Sequence, residues 1–180
     1  MGYIGSHTAV ALQAAGHSPV LYDNLCNSKA DVLERIGRIS GSQPAFVQGD
    51  IRDTALLTQT LREHQIDAVI HFAGLKAVGE SVAQPIDYYA NNVQGTISLL
   101  QAMQTVGVKT IVFSCSATVY GEPQYLPYDE EQPTSATNPY GRSKLHIEEI
   151  LADLSRAEPD WRIACLRYFN PVGAHTSGLL

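Results

Sequence analysis

Short apolar runs separated by longer amphipathic stretches are the feature that most limits how this chain can fold. Apolar residues between the runs recur at helical spacing, with Asp53 as a candidate N-cap and Gly107 as a candidate C-terminal stop. Several runs are apolar at nearly every position, as in strands covered on both faces of a parallel sheet. The alternation predicts an α/β fold with a doubly wound, Rossmann-like parallel sheet. The predicted strands are Val20 to Tyr22, Ala45 to Gln48, Ala68 to Ala73, Thr110 to Ser114 and Ile163 to Tyr168.

The two ends of the chain differ from those of a complete domain of this kind. The chain opens on Met1-Gly2-Tyr3-Ile4-Gly5 and enters a helical pattern at once, with no strand before it. It stops at Leu180, shortly after a strand and a loop. A chain of 180 residues is long enough for one well-buried domain. We therefore interpret residues 1–180 as one Rossmann-like domain, truncated at both ends.

Charge and composition exclude several functional classes. The formal net charge is −6 and no long basic run occurs, which argues against nucleic acid as a partner. No apolar run reaches the length needed to span a membrane. The three cysteines, Cys26, Cys115 and Cys165, are widely spaced and show no metal-ligand pattern. We expect a cytoplasmic protein with reduced thiols and no bound metal.

Glycines and carboxylates in the first third of the chain suggest a dinucleotide site. Gly2 and Gly5 precede a helix, where the absence of side chains would let backbone approach a pyrophosphate. Asp23 ends the next predicted strand, where a carboxylate can accept both adenosine ribose hydroxyl groups and repel a 2′-phosphate, so NAD is preferred. Asp50 ends the strand after that, where an acid could meet the adenine amino group. The glycines could also form a simple turn, and both acids could be turn or capping residues.

The catalytic prediction depends on a helical stripe in the last third of the chain. Tyr140, Lys144, Ile147, Leu151 and Leu154 recur at steps of three or four, so they share one face of a helix. An inward ammonium, together with the positive nicotinamide ring of NAD, would lower the pKa of the phenol from about 10. The phenolate could then accept a proton from a substrate hydroxyl while hydride leaves the same carbon. The alternative is a tyrosine packed by its ring beside a lysine that extends to water.

Ser116 strengthens the catalytic interpretation. It follows a predicted strand, and the carboxyl ends of parallel strands are where ligands collect. Its hydroxyl could bridge the phenol and a sugar hydroxyl. The alternative is a serine that caps a turn, a role that fits Ser114 better than Ser116.

Six ordered motifs resemble one family along the whole chain, from the first residue to the last. Together they resemble the UDP-glucose 4-epimerase family, extended short-chain dehydrogenases that interconvert UDP-glucose and UDP-galactose. The motifs are Gly-Tyr-Ile-Gly-Ser-His at positions 2–7, Asp-Asn-Leu-Cys-Asn-Ser at 23–28, His-Phe-Ala-Gly-Leu-Lys-Ala-Val-Gly-Glu-Ser at 71–81, Tyr-Tyr-x-Asn-Asn-Val at 88–93, Ser-Ala-Thr-Val-Tyr-Gly at 116–121 and Leu-Arg-Tyr-Phe-Asn-Pro-Val-Gly-Ala at 166–174.

The resemblance implies a role for each matching residue. Tyr140 would be the catalytic base and acid, Lys144 would tune it and hold the nicotinamide ribose, and Ser116 would assist proton transfer. Ser116, Tyr140 and Asn170 would touch the UDP-sugar. Besides Tyr140 and Lys144, the implied NAD contacts are Tyr3, Ile4, Asp23, Asn24, Asn27, Ser28, Asp50, Ile51, Phe72, Ala73, Gly74, Lys76, Asn91 and Phe169. Hydride would move to a resident NAD and return to the opposite face of a transient 4-keto sugar.

The chain departs from the family pattern at its two ends. It lacks the first strand of the family's sheet, the first glycine of its phosphate-binding turn and most of its C-terminal substrate domain. Two alternatives to an epimerase therefore stay open. One is a catalytically silent remnant, and the other is a sugar-nucleotide 4,6-dehydratase, although Ala117 and Thr118 stand where that reaction needs carboxylates. The resemblance also implies a homodimer for the full-length protein.

Overall fold

The computed structural model describes all residues, 1–180, as alternating helices and strands. A π-helical turn, Tyr89–Gln94, joins α5 to α6, and a 3₁₀ turn, Ala117–Val119, follows β4. The strands are β1 (Val20–Asp23), β2 (Ala45–Gln48), β3 (Val69–His71), β4 (Thr110–Ser116) and β5 (Arg162–Tyr168). The α-helices are α1 (Tyr3–Ala14), α2 (Asp31–Ser40), α3 (Thr54–Glu63), α4 (Val78–Ala83), α5 (Pro85–Tyr88), α6 (Gly95–Val106) and α7 (Pro139–Ala157).

The first compact unit comprises Met1–Ile51 together with Asn170–Leu180. Strands β1 and β2 pair in parallel, with Val20 opposite Ala45. A small apolar cluster forms where α1 and α2 meet, because each helix turns an apolar face inward. Its buried members are Ala9, Val10 and Ile36, and Leu21, Val32, Ile39 and Leu180 pack against them.

The second compact unit, Arg52–Phe169, contains a three-stranded parallel sheet in the order β3-β4-β5. The central strand β4 places His71 and Cys165 on either side of Phe113, one from each neighbouring strand. Helix α6 contributes Leu99, Leu100, Ala102 and Met103 to the buried apolar side chains of this unit, and α7 contributes Ile147 and Leu151. The largest fully buried apolar side chains of this unit are Tyr88, Met103, Ile111, Phe113, Val119, Ile147 and Leu151.

Local signals in the sequence account for where the helices begin and end. The side chain of Asp53 accepts a hydrogen bond from Leu56 N–H at 2.9 Å and caps α3, as predicted. Gly107 ends α6 with φ 85°, a left-handed conformation that favours glycine. Helix α7 begins after Asn138, whose side chain accepts from Gly141 N–H at 2.9 Å.

Four of the five strands differ from their predicted bounds, of which β1 ends one residue later, at Asp23, and β5 begins one residue earlier, at Arg162. Strand β3 is shorter than predicted, because only Val69–His71 pairs with β4. Strand β4 is two residues longer, because its last pair joins Ser116 to Tyr168 of β5. Ser116 is therefore a strand residue fixed by backbone pairing.

The predicted α/β class with parallel strands is confirmed, although the strands form two sheets, one in each unit. The interpretation of residues 1–180 as one cofactor-binding domain stays a prediction. None of the helices is both long and apolar enough to cross a membrane.

Candidate functional site

Strand β4 and helix α7 bring three of the predicted catalytic residues into one region of the second unit. Ser116 is the last residue of β4, Tyr140 lies in the first turn of α7, and Lys144 lies one turn further on. Lys144 is 5 % exposed, and Ile147 and Leu151 on the same stripe are each 1 % exposed. The stripe thus faces the interior, as its spacing predicts.

The ammonium of Lys144 is held by two consecutive residues of β4. Its Nζ donates a hydrogen bond to the carbonyl oxygen of Ser114 at 2.8 Å. The same atom lies over the ring of Phe113, 4.8 Å from the ring centroid. Burial lowers the pKa of Lys144 to about 8, so the ammonium form still predominates at pH 7. The alternative in which Lys144 extends to water is excluded by its burial.

The surroundings of Tyr140 shift the pKa of its phenol in two opposing ways. In the structure it is raised above the usual value, chiefly because burial disfavours the phenolate. Hydrogen bonding by the Ser116 hydroxyl opposes this shift, and Lys144 is not among its causes. The predicted lowering of the pKa also depended on the positive nicotinamide ring of NAD, so it stays a prediction. Lys144 by itself does not produce it, because burial disfavours the phenolate.

Ser116, and not Ser114, is the serine that caps a turn. Its hydroxyl accepts hydrogen bonds from the backbone N–H of Thr118 at 3.2 Å and from the Thr118 hydroxyl at 3.0 Å. Ser114 lies inside β4, where its carbonyl serves Lys144. The expectation that Ser114 fits the capping role better is wrong, because β4 extends past it. The hydroxyl of Ser116 also lowers the pKa of Tyr140 by hydrogen bonding, and its catalytic role stays a prediction.

A close backbone contact sets the distance between α7 and the turn after β4. A Cβ added at Gly141 would lie 2.9 Å from the carbonyl oxygen of Thr118 and 3.2 Å from the Cβ of Ala136. Real Cβ atoms are almost never this close to other atoms, so only glycine fits without a shift. The contact holds Gly141, the residue after Tyr140, against the 3₁₀ turn that Ser116 caps.

Replacing this glycine should therefore push α7 away from the turn. We expect Gly141→Ala to lower the free energy of unfolding by about 1–3 kcal/mol, the usual cost of overpacking. Chemical denaturation of the purified protein measures the change. Gly79→Ala is the matched control, because Gly79 lies in α4 and its added Cβ would meet nothing within 4 Å. Equal stability of the two variants would contradict the close contact.

Asn92 is a buried polar residue whose structural role the sequence did not reveal. It is 2 % exposed and sits in the π-helical turn. Its side-chain amide donates to the Leu75 carbonyl at 3.0 Å and to the Ser143 hydroxyl at 3.1 Å, and its oxygen accepts from Leu75 N–H at 2.8 Å. Asn92 thereby joins the loop after β3 to α7. The Asn91-Asn92 pair stood in a motif, but these partners, 17 and 51 positions away, are visible only in the fold.

His71 is a second buried polar residue that sequence reasoning left without a role. It ends β3, is 3 % exposed, and its Nε2 lies 2.8 Å from the hydroxyl of Thr96. That hydroxyl donates to the carbonyl of Asn92 at 2.7 Å, which assigns the imidazole proton to Nε2. Burial, assisted by the charge of Lys144, lowers the pKa of His71 to about 3. The imidazole is therefore neutral at physiological pH.

The first unit gathers several of the residues predicted to contact the adenosine end of NAD. The Asp23 carboxylate accepts hydrogen bonds from Leu25 N–H at 2.8 Å, from the Ser28 hydroxyl at 2.9 Å and from the amino group of Met1 at 2.6 Å. Burial alone would raise the pKa of Asp23, but these bonds outweigh it and hold the pKa below its usual value. The Asn24 amide donates to Asp50 at 3.3 Å.

The beginning of α1 has room for a group that approaches the backbone. Gly2 is the N-cap residue in an extended conformation, and no side chain caps the helix. No acidic residue lies in the first turn, and a Cβ added at Gly2 would meet nothing within 4 Å. Free N–H groups at a helix N-terminus favour an anion. The residues present therefore fit a pyrophosphate.

The other predicted residues occupy varied positions. The Tyr3 hydroxyl donates to the Gly173 carbonyl at 2.7 Å, and Phe169 packs edge-on against Tyr128 at 5.5 Å between ring centroids. Asn91 donates to Asn92 at 2.9 Å. Ile51 is buried, the exposed residues are Asn27, Ala73, Lys76 and Asn170, and the half-buried ones are Ile4, Phe72 and Gly74. The roles of all these residues stay predictions.

Parallel α/β units with an inward Tyr and Lys on one helix, beside a serine at a strand end, are the arrangement that the resemblance to extended short-chain dehydrogenases implied. The NAD dependent epimerase/dehydratase family matches residues 1–179, and the chain belongs to this family. The family assignment drawn from the six motifs is thereby confirmed.

Within this family, the chain is similar to curated relatives and solved structures that are UDP-glucose 4-epimerases. The chain is 58 % identical to the UDP-glucose 4-epimerase of Yersinia pestis, over 99 % of this chain and 53 % of the relative. It resembles the UDP-glucose 4-epimerase structure from Stenotrophomonas maltophila with bound NAD and formylated UDP-arabinopyranose (TM-score 0.98, 56 % identity, 99 % of this chain and 53 % of that one). The Bifidobacterium longum enzyme in complex with NAD+ and UDP is similar (TM-score 0.97, 54 % identity, 99 % and 54 %). The chain thus spans about half the length of the relatives it matches.

Proposed function

We propose that this protein acts in the interconversion of UDP-glucose and UDP-galactose, as a 4-epimerase with a resident NAD. The observation that carries the proposal is the convergence of Ser116, Tyr140 and Lys144 at the carboxyl end of β4. The membership of the chain in an NAD-dependent family supports it, as do relatives named UDP-glucose 4-epimerase. The chain spans about half the length of those relatives, so the activity of the whole enzyme is part of this proposal.

Residues of the chain, taken one group at a time, fit the chemistry of parts of NAD. In the first unit, Asp23 would accept the adenosine ribose hydroxyls and the open backbone at Gly2 would receive the pyrophosphate. In the second unit, Lys144 makes one hydrogen bond in the structure, so two of its three N–H groups remain for the nicotinamide ribose. NAD, when bound, supplies the acceptor and donor of hydride and adds positive charge near the phenol.

Tyr140 would accept the proton of the sugar 4-hydroxyl and later return it. Burial raises the pKa of the Tyr140 phenol, and positive charge added nearby would lower it and favour the phenolate that acts as the base. Lys144 contributes a buried ammonium, and Ser116 offers a hydroxyl that relays or stabilises the proton. Because the hydride and the proton both return to the sugar, no net oxidation occurs.

The turn after Ser116 favours epimerisation over dehydration. Elimination of water from the sugar needs an additional acid and base beside the catalytic hydroxyl. Ala117 and Thr118 form the turn there, and the Thr118 hydroxyl is hydrogen-bonded to Ser116 at 3.0 Å.

We propose a UDP-sugar as the partner and the cytoplasm as the location of the protein. We also propose that it assembles as a homodimer through helices such as α6 and α7.

Conversion of UDP-galactose without added cofactor tests the proposed function. Purified protein should form UDP-glucose in the absence of added NAD or reductant, and acid denaturation should release NAD. A 4-keto-6-deoxy product would identify a dehydratase. Absence of both turnover and releasable NAD would identify a catalytically silent protein. Either result would overturn the proposal.

A further inference from the structure

The ammonium of Lys144 is buried without a carboxylate partner, which requires a physical explanation. Lys144 is 5 % exposed, and no Asp or Glu lies within salt-bridge distance of it. A buried charge is costly unless other groups replace its lost hydration. The titratable groups near it are His71 on β3 and Cys115 on β4, with Tyr140 one turn earlier and Glu148 one turn later on α7. The carboxylate of Glu148 is paired with Arg167 at 2.7 Å, so other groups must stabilise the charge of Lys144.

Two consecutive residues of β4 replace that hydration. The carbonyl of Ser114 accepts one hydrogen bond at 2.8 Å, and Nζ lies over the Phe113 ring, 4.8 Å from its centroid. The negative face of an aromatic ring attracts a cation, and the attraction is strongest where water is excluded. Phe113 is fully buried, at 0 % exposure, so water does not compete for this contact.

The position of the ring is fixed from the neighbouring strand. His71 and Phe113 are register partners on β3 and β4, and their ring centroids lie 5.7 Å apart. His71 is itself held by Thr96, at 2.8 Å. The neutral imidazole therefore supports the Phe113 ring without placing a second positive charge beside Lys144. A chain of contacts leads from α6 through β3 and β4 to the ammonium.

We propose that Phe113 is a positioning residue. Its ring face binds the ammonium of Lys144, keeps it charged and holds it beside β4. Its consequence for catalysis rests on the proposed function, in which the ammonium assists Tyr140. The contact itself is independent of any substrate or cofactor.

Fluorinated phenylalanines at position 113 test the proposal, because they weaken the negative face of the ring with little change in size. Nuclear magnetic resonance of ¹³Cε-labelled lysine, assigned with Lys144→Arg, follows the titration of Lys144 in the complete chain. From monofluoro- to trifluorophenylalanine, we expect the pKa of Lys144 to fall from about 8 toward about 7. At pH 7.5 the charged fraction, and with it kcat, should fall about threefold, with KM unchanged.

The same substitutions at Phe46 are the matched control. Phe46 lies in β2 of the first unit, opposite Leu21, and should leave the titration of Lys144 unchanged. Thermal melting should be the same in both series, which separates the effect from a packing defect. An unchanged titration in the Phe113 series, or an equal shift in the Phe46 series, would overturn the proposal. A graded shift without turnover would support the contact and count against the proposed epimerase activity instead.

Discussion

Tyr140→Phe should abolish epimerisation while leaving the protein folded. The change removes only the hydroxyl that would exchange the proton with the sugar. Loss of a general base of this kind slows catalysis by about 10²–10⁴-fold. The ring stays in place at the first turn of α7, so the free energy of unfolding and the amount of NAD released on denaturation should be unchanged. The measurement is the rate of conversion of UDP-galactose at saturating substrate.

Tyr125→Phe is the matched control for this change. Tyr125 is 43 % exposed, and its hydroxyl donates to Asp129 at 2.7 Å. The control should keep the activity of the unmodified protein. Near-normal turnover by Tyr140→Phe would show that another group is the base. The grouping of Ser116, Tyr140 and Lys144 would then not be the catalytic set.

Acid should destabilise the second unit through His71. The folded pKa is about 3, whereas the imidazole titrates near 6.5 when unfolded, so the unfolded state binds more protons between these values. Stability is therefore fully present above pH 6.5 and falls as the pH drops toward 3. Between pH 7 and pH 5 this group alone should cost about 2 kcal/mol. The physical cause is that protonation would place a charge in a buried site beside Lys144.

Comparison with His71→Gln isolates this contribution from that of the carboxylates. Asp23 and Glu148, whose pKa values are lowered, also lose stability in acid, but they do so in both proteins. The free energy of unfolding, measured by denaturation from pH 7 to pH 4, should fall less steeply in the variant. His17→Gln, at an exposed position, should follow the unmodified protein. Parallel curves for the protein and His71→Gln would contradict a neutral buried imidazole.

Much of the site could be predicted from the sequence because its signals are local. The stripe of α7 depends only on helical periodicity, and it places Tyr140 and Lys144 inward whatever lies opposite. The capping of α3 by Asp53 and the end of α6 at Gly107 likewise depend on neighbouring residues. The six motifs identified the family, which the match over residues 1–179 confirmed.

The direction of the pKa shift at Tyr140 could not be predicted in this way. Spacing shows that a phenol and an ammonium share a helix face, but it does not show how much water each loses. Burial depends on what packs against the face, here β4 and the turn that Ser116 caps. The same reason explains the error at Ser114, since the length of β4 is decided by pairing with β5.

The sequence by itself determined the fold class, the family and the inward placement of Tyr140 and Lys144, because periodicity, caps and motifs act over a few residues. Only the tertiary structure decided what surrounds them. It placed Phe113 and the Ser114 carbonyl at the ammonium, and it placed the Asn92 amide between the loop after β3 and α7. These contacts join residues far apart in the chain, and their energies depend on exclusion of water, which no local pattern records.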